Sequence, residues 1–315
     1  MRRTILEKGA ERFGVGYSAL TLLGGFDQNV YGCKTKDFVI KFLSCTKYDL
    51  ESIKREIGWM DYLAKNGLNI TASVLSKRNQ LIEVIGDEEG TYFVIAFEQA
   101  KGRFVGDLES NFPMIKKWGK VMGRMHHLAK SYSSPFNYPE WNDSSVFKDF
   151  PLIAGDEVYK KWNEFIDRLQ HLPKDQHCYG LIHNDLHQTN FHVDNHEMIL
   201  FDFGDLELNW FGYDIAISLY HAVQTIPSSE QVRKREFTKR FFDSFLSGYQ
   251  TENTLDEYWI EKIPFFLNYR QIYSYIYFSK YLNIEEADES IRKALGKMKN
   301  NIVKDLPFLE FSLLS

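Results

Sequence analysis

Asp185, Asn190 and Asp202 have the types and spacing that phosphoryl transfer requires, and all three fall within LIHNDLHQTNFHVDNHEMILFDFGDLELNWFGYD, residues 181–214. One carboxylate can act as base toward an attacking hydroxyl, while an amide oxygen and a second carboxylate hold Mg²⁺ on nucleotide phosphates. The elements that would position them are short. An apolar run (Cys178, Tyr179, Leu181, Ile182) leads into the polar loop HNDLHQTN. A strand over 190–193, an Asp194-Asn195 turn and a second strand over 198–203, ending on Asp202-Phe203-Gly204, then predict a β-hairpin.

The loop HNDLHQTN resembles the protein-kinase catalytic loop H-R-D-L-x-x-x-N, and Asp202-Phe203-Gly204 resembles the kinase metal motif. His187 and the early Gly212-Tyr213-Asp214 are more similar to the aminoglycoside phosphotransferase and choline kinase superfamily, with its pattern H-G-D-L-H-x-x-N, DF and a later DxA. Asn184 stands where that family usually has Gly. The resemblance implies that Asp214 bonds the catalytic-loop backbone. Its position also predicts that it caps a helix over 214–222.

Two blander readings stand beside this one. Asp and Asn crowd turns because their side chains bond nearby backbone, so the pattern could be punctuation around a hairpin. His183, His187, His192 and His196 recur at four- or five-residue steps that could suggest a metal cage, but a hairpin scatters such a spacing over two faces. His183 reads better as a residue that orders the loop.

Upstream, a helix over 3–12 precedes strands at 18–23, 29–33 and 37–43, with Gly24 and Gly25 in the first turn. This meander resembles the phosphate-covering roof of a kinase, with Gly25, Phe26, Asp27 and Gln28 over the nucleotide, although G-x-G-x-x-G is absent. Lys41 interrupts an apolar strand as the phosphate-binding lysine of V-A-I-K does; the alternative is an edge-strand lysine facing water. In the helix over 49–66, Ile53, Ile57, Met60 and Ala64 mark the buried stripe. Glu56 borders that stripe and is the expected partner of Lys41, with Glu51 the competing choice. After strands at 71–76, 80–85 and 91–98, the composition changes over 98–102. By resemblance this is the hinge, where the backbone of Glu98 and Ala100 meets the base.

Helices are expected at 112–129 and 156–170, separated by a Pro/Ser/Asn-rich excursion over 131–150, and then at 229–249, 254–282 and 285–311. His126 reads as a packing or loop-ordering residue. The aromatics of 254–282 fit either a core helix or a tyrosine-lined cleft. Asp243, Asp256, Glu257 and Glu261 would suit a cationic acceptor, or are ordinary helix-surface charges.

Composition narrows the class. With 315 residues the chain can bury a large core, and its net charge of −5 argues against a dedicated nucleic-acid binder. Three scattered cysteines give neither a disulfide framework nor a zinc site and suit a reducing cytoplasm; no apolar run is long enough to span a membrane.

The fold expected is α+β, bilobal and protein-kinase-like: an antiparallel-sheet N-lobe over 1–97, a hinge at 98–102, and a mostly helical C-lobe over 103–315 carrying the catalytic loop. The resemblance implies an ATP- (or GTP-) and Mg²⁺-dependent phosphotransferase acting on a small-molecule hydroxyl such as an aminoglycoside-like antibiotic, amino alcohol or sugar. Asp185 would be catalytic, Asn190 and Asp202 metal ligands, and Lys41 with Glu56 phosphate-binding. A Ser/Thr protein kinase and an inactive nucleotide-binding pseudokinase are the alternatives.

Overall fold

A computed structural model describes residues 1–25, 27–149, 156–283 and 287–313. Contacts divide the chain into two compact units, Met1–Phe104 with Asn190–Gly204, and Val105–Thr189 with Asp205–Ser315. The hairpin that follows the polar loop therefore belongs to the first unit, although the segments on either side of it belong to the second.

The first unit is built on an antiparallel sheet of β1 (Leu20–Gly24), β2 (Val30–Cys33), β3 (Phe38–Ser44), β6 (Gly90–Glu98) and β4 (Ser73–Val74), with β5 (Ile82–Asp87) also on β6. Helix α1 (Arg3–Arg12) buries Ile5, Leu6 and Ala10, and Ile5 and Leu6 join Phe38, Ile40, Phe42 and Val94 in one core. Helix α2 (Leu50–Lys65) begins at Asp49, whose carboxylate accepts the Ser52 N–H at 2.6 Å, and it buries Ile53, Glu56, Ile57, Trp59, Met60 and Leu63. Strand β4 is only two residues long, shorter than the run expected at 71–76.

In the hairpin, β8 (Phe191–Asp194) pairs with β9 (Glu197–Leu200), so the second strand stops short of the expected 198–203. Asp202 has φ 66°, a left-handed conformation that no strand accommodates. Arg103 and Val193 exchange backbone hydrogen bonds, and Thr71 N–H bonds Leu200 O at 3.1 Å, so the hairpin is fastened to this unit along both of its strands.

The second unit is mostly helical. Its helices are α3 (Phe112–Ala129), α4 (Ser145–Asp149), α5 (Asp156–Gln170), α6 (Phe211–Val223), α7 (Gln231–Tyr249), α8 (Glu257–Glu261), α9 (Ile263–Tyr281) and α10 (Glu289–Val303). A two-stranded ladder pairs β7 (Tyr179–Ile182) with β10 (Glu207–Trp210), a strand the sequence reading did not anticipate. The aromatic stretch expected as one helix over 254–282 is broken at Lys262, because Pro264 lacks an N–H and sits at the start of α9. Phe266 and Tyr269 on α9 are buried, and Tyr269 stacks on Trp162 of α5, so this part of the run is core. Helix α10 is also shorter than the expected 285–311.

Helices α3 and α7 approach closely through small residues. A Cβ on Gly119 would lie 1.9 Å from Phe245 O, and one on Gly123 2.5 Å from Tyr249 O. From the other side, a Cβ on Gly248 would lie 1.8 Å from Lys116 O. No side chain fits at these contacts. Helix α6 is apolar on almost every side and buried at every position except His221.

Candidate active site

In the first unit, Lys41 lies on β3 between β2 and β6, opposite Val30 and Ile95, so it is not an edge residue. Its ammonium donates to Asp202 Oδ1 at 2.7 Å and Glu56 Oε1 at 3.4 Å, and lies 5.5 Å from the centre of the Phe97 ring. Glu51, the competing choice, pairs instead with Lys54 on the exposed side of α2. Burial disfavours the Lys41 charge, but the two carboxylates outweigh it and raise its pKa. Burial raises the Glu56 carboxyl; Lys41 and the Phe203 N–H that Glu56 accepts offset this only in part. Glu56 thus ties the lysine to the segment carrying Asp202. Asp202 itself is 52% exposed, which leaves carboxylate surface open to a cation. Asn190 is buried beside β8, and its carbonyl accepts the Phe201 N–H at 3.1 Å. An amide oxygen and a carboxylate form the hard-oxygen donor set that suits Mg²⁺ or Ca²⁺.

Of the expected phosphate roof, Gly25, Asp27 and Gln28 form a turn closed by Gln28 N–H to Gly25 O at 3.0 Å; Phe26 lies outside the described residues. Gly25 has φ 85°, and a Cβ there would lie 2.3 Å from Asn29 Oδ1, so the position requires glycine. Asp27 pairs with Lys47 at 2.5 Å. At the expected hinge, Glu98 N–H is committed to Ala72 O at 2.8 Å, and Ala100 O accepts from His192 Nδ1 at 2.9 Å. That bond places His192 on the Ala100 carbonyl and not in a metal cage.

In the second unit, the polar loop is pinned from α6. Asp214 Oδ2 accepts the His183 N–H at 3.1 Å, and Oδ1 accepts the Asn184 N–H at 2.9 Å. Asp214 therefore does not cap its own helix: α6 starts three residues earlier, at Phe211, and the fully buried carboxylate is spent on the loop. Asn184 has φ 66°, which explains why Asn can stand where the resembled loop pattern has Gly: it tolerates the left-handed region better than other side chains. Ser218 Oγ holds Leu186 O at 2.6 Å, and His183 Nδ1 accepts the Asp185 N–H at 3.4 Å.

Three side chains surround the Asp185 carboxylate. Arg270 Nη2 lies 3.2 Å from Oδ1, His187 Nε2 3.2 Å from Oδ2, and His221 Nε2 3.8 Å from Oδ1. His187 Nδ1 faces the Thr189 hydroxyl at 2.9 Å and accepts the Thr189 N–H, so its Nε2 carries the proton given to Asp185. Burial alone would raise the Asp185 pKa, but the His187 bond and the Arg270 charge hold it well below the usual carboxylate range. Burial, with Arg270 adding to it, lowers His221 to about 3 and keeps it neutral. The ligand-type atoms of Asp185, His187 and His221 lie within 4.8 Å of one another. Arg270 also stands 3.4 Å from His221 Nε2, and that fixed positive charge excludes a cation there.

Arg270, His221 and Glu207 also belong to the site, although no sequence motif marks them. Arg270 and His221 lie inside helical runs with no motif around them, and only the packing of α9 against α6 brings them to Asp185. Glu207 is buried on β10, accepts from Asn209 Nδ2 at 2.6 Å, and is raised to about 8 by burial, with nearby Asp205 adding to the shift. By contrast Asp243, Asp256, Glu257 and Glu261 are exposed on or beside α7 and α8. Among the described residues no helix is long and apolar enough to cross a membrane.

Over 98% of its length the chain is 29% identical to an amicoumacin kinase of Bacillus subtilis (strain 168), covering 94% of that protein. A solved amicoumacin kinase, in complex with AMP-PNP, Ca²⁺ and Ami, superposes with a TM-score of 0.89 at 28% identity, over 99% of this chain and 96% of that one. A microcompartment-associated aminopropanol kinase shares the fold, with a TM-score of 0.76 at 15% identity over 96% and 95% of the two chains. A family model, that of the phosphotransferase enzyme family, matches residues 18–256. The chain belongs to the phosphotransferase enzyme family.

Proposed function

We propose that this kinase moves the γ-phosphoryl group of ATP (or GTP) to a hydroxyl of an antibiotic-like small molecule, with amicoumacin the first acceptor to test. The Lys41 bridge to Asp202 and Glu56 is the observation that carries the reading. An ammonium held by two carboxylates, one of them half-exposed, is placed to neutralise phosphate oxygens. The base lies along the backbone of Glu98 and Ala100. Glu98 N–H is already used, while no partner of the Ala100 N–H is found among the described residues, which makes Ala100 the donor to the purine edge. Asn190 and Asp202 hold the divalent cation, which supplies charge neutralisation on the phosphates. Asp185, ionised and oriented by Arg270 and His187, accepts the hydrogen bond of the acceptor hydroxyl and aims its oxygen.

The segment after Gly204 favours a small acceptor over a peptide. Residues 205–213, DLELNWFGY, contain no Ser or Thr, and Glu207–Trp210 are committed to β10 against β7. Little is left to order by phosphorylation or to form a peptide platform. Tyr213 is buried, as a switch residue could not be.

A coupled assay with ATP and GTP over amicoumacin, amino alcohols, aminoglycosides and sugars tests this. Turnover of a small hydroxyl compound without prior activation is expected. Efficient transfer to protein serines, with no small acceptor competing, would overturn it.

A further inference from the structure

Behind the polar loop, in the second unit, runs a chain of hydrogen bonds. Lys130 Nζ donates to Asn253 Oδ1 at 2.5 Å, and Asn253 Nδ2 donates to the Tyr249 hydroxyl at 2.8 Å. Tyr249 OH lies 3.0 Å from His126 Nδ1, and His126 Nε2 lies 3.0 Å from Asp214 Oδ2. Asp214 then holds the N–H groups of His183 and Asn184, immediately before Asp185. Lys130 and Asn253 line a polar cavity of about 630 Å³, so the outer end is open, whereas Tyr249, His126 and Asp214 are fully buried.

Donor and acceptor inventory gives the chain one direction. An ammonium only donates, so Asn253 receives at its oxygen and gives from its amide nitrogen. The Tyr249 oxygen receives that bond, and its single proton goes to His126 Nδ1. His126 is then left with a proton on Nε2, pointed at the Asp214 carboxylate. Burial lowers the His126 pKa, with Asp214 opposing, which agrees with a neutral ring. Stacking on Phe211 at 4.4 Å fixes that ring's plane. The glycine contacts between α3 and α7 fix the height of Tyr249 against His126.

We infer that Tyr249 and His126 are positioning residues that hold Asp214, and through it the backbone of the catalytic loop, by a one-way hydrogen-bond relay beginning at Lys130 and Asn253. The inference rests on the proposed catalytic role of that loop. A side chain acting only as packing tolerates loss of a hydroxyl; a relay member does not.

Two variants test it in the full-length enzyme. Tyr249→Phe removes the donor to His126 while keeping the ring. Its kcat should fall about tenfold, the size of one lost buried hydrogen bond, with the nucleotide Kd unchanged. Amide exchange at His183 and Asn184 should quicken at least tenfold while α3 and α7 keep their protection. Asn253→Asp reverses the relay, because a carboxylate accepts from both Lys130 and Tyr249. The phenol then no longer donates to His126, whose Nδ1 must carry its own proton. Nitrogen-15 NMR should show Nδ1 of His126 bare in the wild type and protonated in Asn253→Asp. Unchanged exchange at His183 and Asn184 in Tyr249→Phe, exchange quickened throughout α3 and α7, or a bare Nδ1 persisting in Asn253→Asp overturns the relay. Asp185→Asn, assayed in parallel, separates the two readings: full activity there overturns the catalytic role of the loop, while exchange and NMR still decide the relay.

Discussion

Arg270 Nη2 stands 3.2 Å from Asp185 Oδ1, and the same guanidinium reaches to 3.4 Å from His221 Nε2. Asp185 is thereby held as a carboxylate well below its ordinary pKa, with burial opposing and the His187 bond and Arg270 prevailing. A carboxylate so stabilised is a weak base, so in the proposed reaction its contribution is to orient the hydroxyl. Any proton transfer to it belongs late in the reaction, when the acceptor oxygen has already become acidic.

Asp185→Asn should therefore keep nucleotide affinity and lose rate, by about 10² to 10⁴. Arg270→Met should also lower kcat, and it should bring an acid limb into the pH profile as Asp185 regains a normal pKa. Arg270→Lys keeps the charge and should show a smaller shift. Profiles of kcat against pH for the three variants check this. An unchanged profile in Arg270→Met would show that Arg270 does not hold Asp185 ionised.

Lys41→Ala and Glu56→Ala should be strongly non-additive in kcat/KM, since Glu56 acts by holding Lys41 and the Phe203 N–H. A double-mutant cycle measures the coupling. Simple additivity would mean that the 3.4 Å contact has no part in turnover.

Asp202→Ala should abolish metal–nucleotide turnover with the fold intact, because on the proposed reading the half-exposed carboxylate contributes ligand oxygen and not packing. Titration calorimetry with the metal–nucleotide, beside a melting curve, distinguishes loss of the site from loss of the fold. Wild-type turnover would exclude Asp202 as a ligand.

Glu207 gives a stability prediction with a definite sign. Its carboxyl is raised from 4.5 to about 8 in the folded protein, mainly by burial. Between those values the unfolded chain has released a proton that the folded chain still holds, so this group's stabilising contribution is complete below about 4.5 and lost as pH rises to about 8. Glu207→Gln keeps the shape without the titration and should flatten that decline. Denaturant midpoints across this pH range, in both proteins, decide it.

Much of the site was legible because its groups sit close together in sequence. A candidate catalytic Asp, an amide five residues on and an Asp-Phe-Gly pattern require no knowledge of packing to recognise. Lys41 and Glu56 were legible for a different reason: a cation interrupting an apolar strand and a carboxylate on the edge of a buried stripe are both anomalies of periodicity. Where the reading failed, the cause was local backbone or distant packing. Asp214 looked like a helix cap because Asp favours that position, yet α6 starts at Phe211. Pro264 broke a helix that hydrophobic periodicity alone had carried through.

Sequence by itself determined the chemistry available to this protein and the elements on which it rides: the polar loop, the hairpin, Lys41's strand and Glu56's helix. Tertiary structure decided what surrounds Asp185. Arg270 is 85 residues away along the chain, and the contact exists only because α9 packs on α6. It likewise decided that His126, 88 residues from Asp214, completes the support of the loop. Periodicity reports which face of a helix is buried but not which other helix it meets, and a buried polar side chain acquires its role from that partner.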